Sequence, residues 1–403
     1  MLMTISMAMP LLISFCYLAI FLISSSSFVA STRTLQNRRN LGYSEYNDMD
    51  NCWMSHDWEN NRKRLADCAI GWAMGTTGGK EGKYYEVTSN DDNPTNPMPG
   101  TLRHAVTRLE PLWIIFRCDH MEFNLKEELI ITSNKTLDGR GCVVNFKGPA
   151  CLVVQSVQNV IIHGIHIHNC GPTGGDGVEV MSSEDHTGFR GRTEGDAVSL
   201  WDAQYIWVDH NDLSNSSDGL IDAVEGSSYI TISNNRLSHH NEAMLLGHND
   251  TYVEDKGMRV TILYNNFGPG LTQRIPRVRF GGVEVVNNFY QPWSMYAIGG
   301  SANATIVSKG NIYLASNDSH LKEVTKHLYE PEEIWMKGSN WISDGDLMVN
   351  GAFFSASGSK YIDDGVYKRA STVEAKDRYD VPSLVQNAGP WKCGTNLNCW
   401  DNN

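Results

Sequence analysis

The sequence predicts an all-β chain wound as a solenoid, a parallel β-helix, and three observations predict it. A pattern of apolar, any, apolar, two of any, Asn, any, apolar recurs as IWVDHNDL ending at Leu213, ITISNNRL ending at Leu237 and VTILYNNF ending at Phe267, with weaker copies VEVVNNFY and IVSKGNIY. Its asparagines, at 211, 235, 265, 288 and 311, are spaced by 24, 30, 23 and 23 residues. A near-constant step with one six-residue insertion marks a repeat in which each unit stacks on the last. Within each unit the apolar residues alternate and are mostly β-branched or aromatic, which is strand patterning. No stretch of helical periodicity separates one unit from the next, so the strands stack in parallel without helical crossovers. At a tight bend, an Asn tolerates unusual dihedrals and hydrogen-bonds the backbone or its counterpart in the next coil. A leucine-rich repeat also carries L-x-L-x-x-N, but Leu is scarce at the apolar positions here and the extra leading Leu is missing.

The elements follow in order. Residues 1–31 carry no Asp, Glu, Lys or Arg. They run from an apolar stretch, Leu11 to Ile23, into Val29-Ala30-Ser31, a small-residue pattern suited to cleavage. This reads as a secretory signal peptide, with a signal anchor as the alternative because a basic start is missing. Residues 32–60 are polar and read as a loose extension. NRKRLADCAIGWA has helical character and is expected to cap the open end of the solenoid, which spans 61–330. Residues 331–403 mix Trp, Gly and Asp without a repeat and are expected to pack along its outside. Two insertions, Gly171–Arg192 and Asn241–Gly257, are the long loops on which function tends to sit. Beyond the signal lie eight cysteines, an even number that suits an oxidising compartment. Close spacing suggests the pairs Cys52–Cys68, Cys151–Cys170 and Cys393–Cys399. Five N-x-[ST] sequons, at Asn134, Asn215, Asn249, Asn303 and Asn317, also point to export.

The chain of 403 residues has 33 Lys+Arg against 46 Asp+Glu, a net charge of -13. That balance argues against a nucleic-acid partner, because phosphate binding draws on a surplus of cations. No later stretch is long and apolar enough to span a bilayer. A polyanionic ligand is awkward too, unless something local reverses the sign.

The residues that could do so are concentrated. Glu194 and Asp196 lie two apart, so on a strand both would point to one face. Asp218 and Asp222 follow one repeat later and should stack on them in the next coil. Carboxylates so packed repel one another unless a cation sits among them. Hard oxygen donors in that number favour calcium. Arg274, Arg277 and Arg279 come next, in QRIPRVR, with the last two on one strand face. Guanidinium matches carboxylate in a bidentate way, so the trio reads as a cationic clamp for a ligand's carboxylates. The bland alternative is that they neutralise the acids. His166 and His168 share a strand face, and Asp209–His210 precede the turn Asn. Both pairs read as structural rather than as a zinc site or an acid–base pair. No G-x-S-x-G, P-loop or dinucleotide fingerprint is present.

Together these residues resemble the plant pectate lyases, polysaccharide lyase family one, and their pollen-allergen relatives, from about Cys52 to Phe354. The likeness is carried by NRKRLADCAIGWA, PGTLRHAV, PLWIIF, TLDGRG, HGIHIHNC, IWVDHNDLSN, DGLIDA, HHNEAMLLGHND, QRIPRVR, MYAIGGSA and NGAFF, in matching order and spacing. The resemblance implies a right-handed parallel β-helix and calcium-assisted β-elimination of de-esterified homogalacturonan (pectate, polygalacturonate) in the plant cell wall. It implies calcium ligands at Glu194, Asp196, Asp218 and Asp222, a catalytic base at Arg274 and a substrate-carboxylate arginine at Arg279, working as a monomer. Arginine is an unusual base, being protonated at neutral pH, so activity is expected to rise into the alkaline range. Two positions depart from the pattern. Glu194 stands where many relatives have Asp, and Glu242 where some carry a substrate-binding Lys. These departures leave open a weak or inactive pectate-binding protein. A polygalacturonase, which hydrolyses with paired carboxylic acids, is disfavoured because its NTDG and RIK-type motifs are absent.

Overall fold

The computed structural model describes residues 46–55, 57–116, 119–149, 151–175, 177–328, 331–358 and 373–391. The expected signal peptide and the pair Cys393–Cys399 lie outside the described residues. Three parallel sheets of ten, nine and eight strands run the length of this part of the chain. Each coil visits them in the same sequence. Val198–Trp201 lies in the eight-stranded sheet, Gln204–Asp209 in the ten-stranded and Asp212–Ser214 in the nine-stranded. The next coil repeats the circuit as Ile221–Val224, Ser228–Ser233 and Arg236–Ser238. Register is strict: Val198 faces Ile221, Ile206 faces Ile230 and Leu213 faces Leu237. Alternate residues therefore point inward at every level, and Leu200, Ile206, Val208 and Leu213 are fully buried in one continuous core. Among the described residues no helix is long and apolar enough to cross a membrane.

The repeated asparagines form a ladder at the corner between the ten- and nine-stranded sheets. Oδ1 of Asn235 accepts from the backbone N of Asn211 at 2.9 Å and from its Nδ2 at 3.1 Å. The same pair of bonds links Asn235 to Asn265, Asn265 to Asn288 and Asn288 to Asn311. Asp346 closes the series, its Oδ1 accepting from N and Nδ2 of Asn311 at 2.7 and 3.0 Å. The left-handed bend falls one residue earlier than the sequence suggests. His210, Asn234, Tyr264, Asn287, Gly310 and Gly345 carry φ between 49° and 66°. The ladder Asn is thus the hydrogen-bonding half of the corner, and its predecessor is the turning half.

Three other expectations change. The NRKRLADCAIGWA segment forms two 3-10 turns, Arg62–Asp67 and Gly71–Ala73, and it does not cap the open end. It lies flat along the outside of the ten-stranded sheet, where the backbone N of Trp72 and Ala73 donate to the hydroxyls of Thr261 and Thr231, each at 3.0 Å. A side chain at Gly71 would stand 2.6 Å from Thr261 Oγ1, so only glycine permits the close approach. The helix packed on the first strands is instead Leu102–Val106, capped by Thr101. Within the extension expected to be loose, Asp48–Trp53 is a helix whose N-cap Asn47 accepts from Met49 and Asp50. Finally, the solenoid runs past residue 330: Asn340–Asp344 and Leu347–Val349 add strands to the ten- and nine-stranded sheets. Disulfides join Cys52 to Cys68 and Cys151 to Cys170.

Candidate active site

The acidic and arginine clusters meet on the eight-stranded sheet and on the turns that feed it. Glu194 and Asp196 do not share a strand face, as their spacing suggests. They sit on the turn before Val198–Trp201, bent at Gly195 with φ +97°. The turn nevertheless brings Asp196 beside Asp218 and Asp222, so that one ligand atom from each of the three lies within 4.8 Å of the others. Glu194 is exposed and hydrogen-bonds Asp218 from the rim. Neighbouring groups hold the carboxylates in place. Oδ1 of Asp196 accepts from Gly219 N at 2.8 Å, and Oδ1 of Asp222 from Leu245 N at 3.0 Å. A side chain at Gly219 would come within 2.2 Å of Asp222 Oδ1, so glycine there makes room for the carboxylate.

Burial and like charge dominate the electrostatics of the acids. Burial pushes the Asp222 carboxyl well above the usual carboxylate range, and Asp196 and Asp218 push it further. Burial raises Asp196 as well. Glu194 is raised chiefly by its hydrogen bond to Asp218 and by that residue's charge. Three carboxylates converging in this way present hard oxygens to a common point, the donor set that suits calcium.

The arginines lie two and more coils on. Arg277 and Arg279 belong to the strand Arg277–Arg279, which pairs with Leu245–Leu246, itself beside Ile221–Val224. Arg277 is only 4% exposed, which makes it the least able of the three to reach a ligand. Arg279 Nε donates to Asp250 Oδ1 at 3.0 Å, and its Nη1 donates to the carbonyls of Gly247 and His248. Burial, then the neighbouring Arg277, lowers its pKa, with Asp250 opposing them. A side chain at Gly247, where φ is +105°, would meet the Arg279 carbonyl at 2.6 Å. Arg274 is held in left-handed backbone (φ 55°), and its Nη2 lies 2.8 Å from Glu242 Oε1. Both arginines that face outward therefore already have carboxylate partners, which the clamp reading did not include. Asp250 was invisible to that reading because the sequence gives no signal that a loop acid 29 residues upstream will reach Arg279.

A cleft of about 490 Å³ opens beside the acids, lined by Arg190, Glu194, Asp196, Ser199, Trp201 and His248. The insertions at 171–192 and 241–257 supply its edges. His163, His166, His168 and His210 lie elsewhere. His163 and His210 both contact Asp209 Oδ2 through Nδ1 at 2.8 Å in a fully buried group, and His210 Nε2 reaches Asp50 at 3.2 Å. This group locks the N-terminal helix onto the solenoid. His166 stands 3.5 Å from Asp212, and His168 bonds Ser214 at 2.7 Å.

Comparison with known proteins places the chain among relatives. The family profile described as pectate lyase matches residues 59–378. The chain is 53% identical to "Probable pectate lyase 20" of Arabidopsis thaliana over 374 residues, 92% of this chain and 88% of that protein. It is 49% identical to "Pectate lyase" of Zinnia elegans over 368 residues, 90% of each. Among solved structures it is similar to Jun a 1, the major allergen from cedar pollen, with a TM-score of 0.81 and 44% identity, over 85% of this chain and 99% of that one. Pectate lyase II of Xanthomonas campestris, at 17% identity and a TM-score of 0.58, over 80% of this chain and 98% of that one, shares the fold.

Proposed function

The chain belongs to the pectate lyase family, and from that membership we propose a secreted, monomeric, calcium-dependent enzyme of the plant cell wall. It cleaves de-esterified homogalacturonan by β-elimination and leaves 4,5-unsaturated oligogalacturonides. The observation that carries this reading is the convergence of Asp196 and Asp218 on Asp222, which shares the eight-stranded sheet with Arg279, with Arg274 close enough to act electrostatically on Asp222.

Each residue has a task in that reaction. Asp196, Asp218 and Asp222, with Glu194 at the rim, would hold the cation. Calcium held there would supply Lewis-acid polarisation of a uronate carboxylate. Arg279, fixed by Asp250 and two carbonyls, binds that carboxylate and stabilises the charge that develops on it. Arg277, almost wholly buried beside it, acts on Arg279 through its like charge. Arg274 takes the proton from C5. The electron pair left behind forms the C4–C5 double bond and expels the glycosidic oxygen at C4, which solvent then protonates.

The test is ultraviolet absorbance of unsaturated uronides on polygalacturonate, with calcium and then with a chelator. Absorbance should grow with calcium and stop with chelator, and Arg274→Ala should lower the rate about a thousandfold while leaving the fold intact. New reducing ends without absorbance would mean hydrolysis and overturn the mechanism. Silence in both channels would favour a pectate-binding protein, the reading to which the Arg274–Glu242 ion pair lends support.

A further inference from the structure

The cleft beside the acids continues away from Arg279, and its far end has a different chemistry. One outward-facing column of the eight-stranded sheet reads, coil by coil, Gln155, Trp201, Val224, Gly247 and Arg279. Neighbouring strands lie about 4.8 Å apart. Three steps therefore set Trp201 roughly 14 Å from Arg279 along the solenoid, with the coil of Asp222 between them. That is too far for both to touch one sugar ring. Leu200 points into the core, so Trp201 faces out, and its partly exposed indole lines the cleft beside Arg192 and His248. The His248 ring flanks it, with centroids 6.2 Å apart.

Arg192 differs from the other cleft arginines. Arg190, Arg274 and Arg279 are paired with Glu128, Glu242 and Asp250. The Arg192 side chain is exposed and has no carboxylate partner among the described residues. Its backbone is nevertheless pinned on both sides. Arg190 Nη1 donates to Gln155 Oε1 at 3.0 Å, and Thr193 N donates to the Thr173 carbonyl at 2.7 Å. An indole and an unpaired guanidinium on one wall match a ligand that carries both an apolar face and an anion. A uronate unit is such a ligand: its C–H face packs on an aromatic ring and its carboxylate takes a guanidinium in a bidentate way. A neutral sugar uses only the first feature and a small anion only the second.

We propose that Trp201 and Arg192 form a remote uronate subsite, which grips a free galacturonate unit of the polymer away from the unit undergoing elimination. This rests on the assignment of the cleft to uronan binding. The subsite adds affinity for long chains and takes no part in the chemical step.

The experiment uses long polygalacturonate at fixed calcium with the intact protein and its Trp201→Ala, Trp201→Phe and Arg192→Ala variants. It reads KM and kcat, and also retention in polygalacturonate gels, which needs no turnover. Trp201→Ala should raise KM about tenfold and weaken retention, with the loss chiefly in KM, and Trp201→Phe should recover most of both. Arg192→Ala should raise KM about fivefold at low salt and by less at high salt, whereas the Trp201→Ala factor should persist. A structural role for either residue would not divide the two effects by salt. KM and retention unchanged in both alanine variants overturn the proposal, as does Trp201→Phe as weak as Trp201→Ala. An intact protein retained by the gel but yielding no unsaturated product would defeat the lyase reading and leave this one standing.

Discussion

Two groups of side chains in this molecule bring like against like with opposite results. In the ladder, strict register places a residue against its counterpart in the next coil, whereas in the cleft Asp196 and Asp218 converge from turns, and in register Asp222 faces Ser199. At the ladder corner that counterpart is Asn on Asn, and an amide is complementary to itself: each donates from Nδ2 and accepts at Oδ1, and all five are fully buried. At the cleft the groups brought together are carboxylates, and a carboxylate is not complementary to itself. Burial and neighbouring acids push Asp222 and Asp196 up, and Glu194 is raised through Asp218. Stacking like on like is therefore a stability device or a ligand-binding device, according to whether the repeated group carries both a donor and an acceptor.

The comparison breaks most visibly in the ladder. Asn265→Leu removes the acceptor for N and Nδ2 of Asn235 and the donor to Asn288 Oδ1 and to the Ile232 carbonyl. Several buried groups lose partners at about 1–3 kcal/mol each. Denaturant unfolding should show a loss of about 4 kcal/mol, while kcat/KM measured at low temperature stays near that of the intact chain. A loss under 1 kcal/mol would mean that the corner does not depend on the amides.

A smaller effect comes from the residue just before the first ladder Asn. Burial alone would lower the His210 pKa, but Asp209 and Asp50 on either side push it up to about 10. A raised folded-state pKa means that the stabilisation is complete below the unfolded value near 6.5 and is lost as pH rises through about 10. Thermal unfolding from pH 7 to 10 should therefore fall more steeply for the intact protein than for His210→Gln, by about 2 kcal/mol. Parallel curves would remove His210 from the account. The ladder proper, being uncharged, contributes no slope.

The smallest effect sharpens the cleft side. In chelator at neutral pH, Asp222→Asn replaces one buried like charge with an amide. It should stabilise the protein by about 1 kcal/mol and abolish any rise in Tm on adding calcium. A destabilised variant would show that the acids are not in conflict.

What was legible in the sequence follows the same division. Asn211, Asn235, Asn265, Asn288 and Asn311 announce the solenoid because one coil is one repeat, so spacing along the chain is position in space. Asp218 and Asp222 were readable against Asp196 for the same reason. The strand argument for Glu194 and Asp196 failed because Gly195 bends the backbone, and period-two reasoning holds only inside a strand. The Arg274–Glu242 pair was hidden because the coil between them contains the insertion that breaks the 23–24-residue step. Asp346 was hidden because it ends the ladder as a different residue, 35 positions on. The N-terminal cap was misplaced because a 3-10 turn seated on a column of threonines has no hydrophobic period.

Asp346 has a consequence of its own. Each rung donates forward and accepts from behind, so the series has a direction, and its last member needs only to accept. A carboxylate does that, and it leaves no amide hydrogens to be satisfied by a further coil. It follows that chain length in such proteins should vary in quanta. Deleting or duplicating one whole coil, Asn265 to Asn287 for instance, rejoins the ladder with every bond intact, whereas removing a single residue at the corner interrupts it. Genes of this architecture should tolerate insertions of arbitrary size on the cleft side and only unit-sized ones at the asparagines.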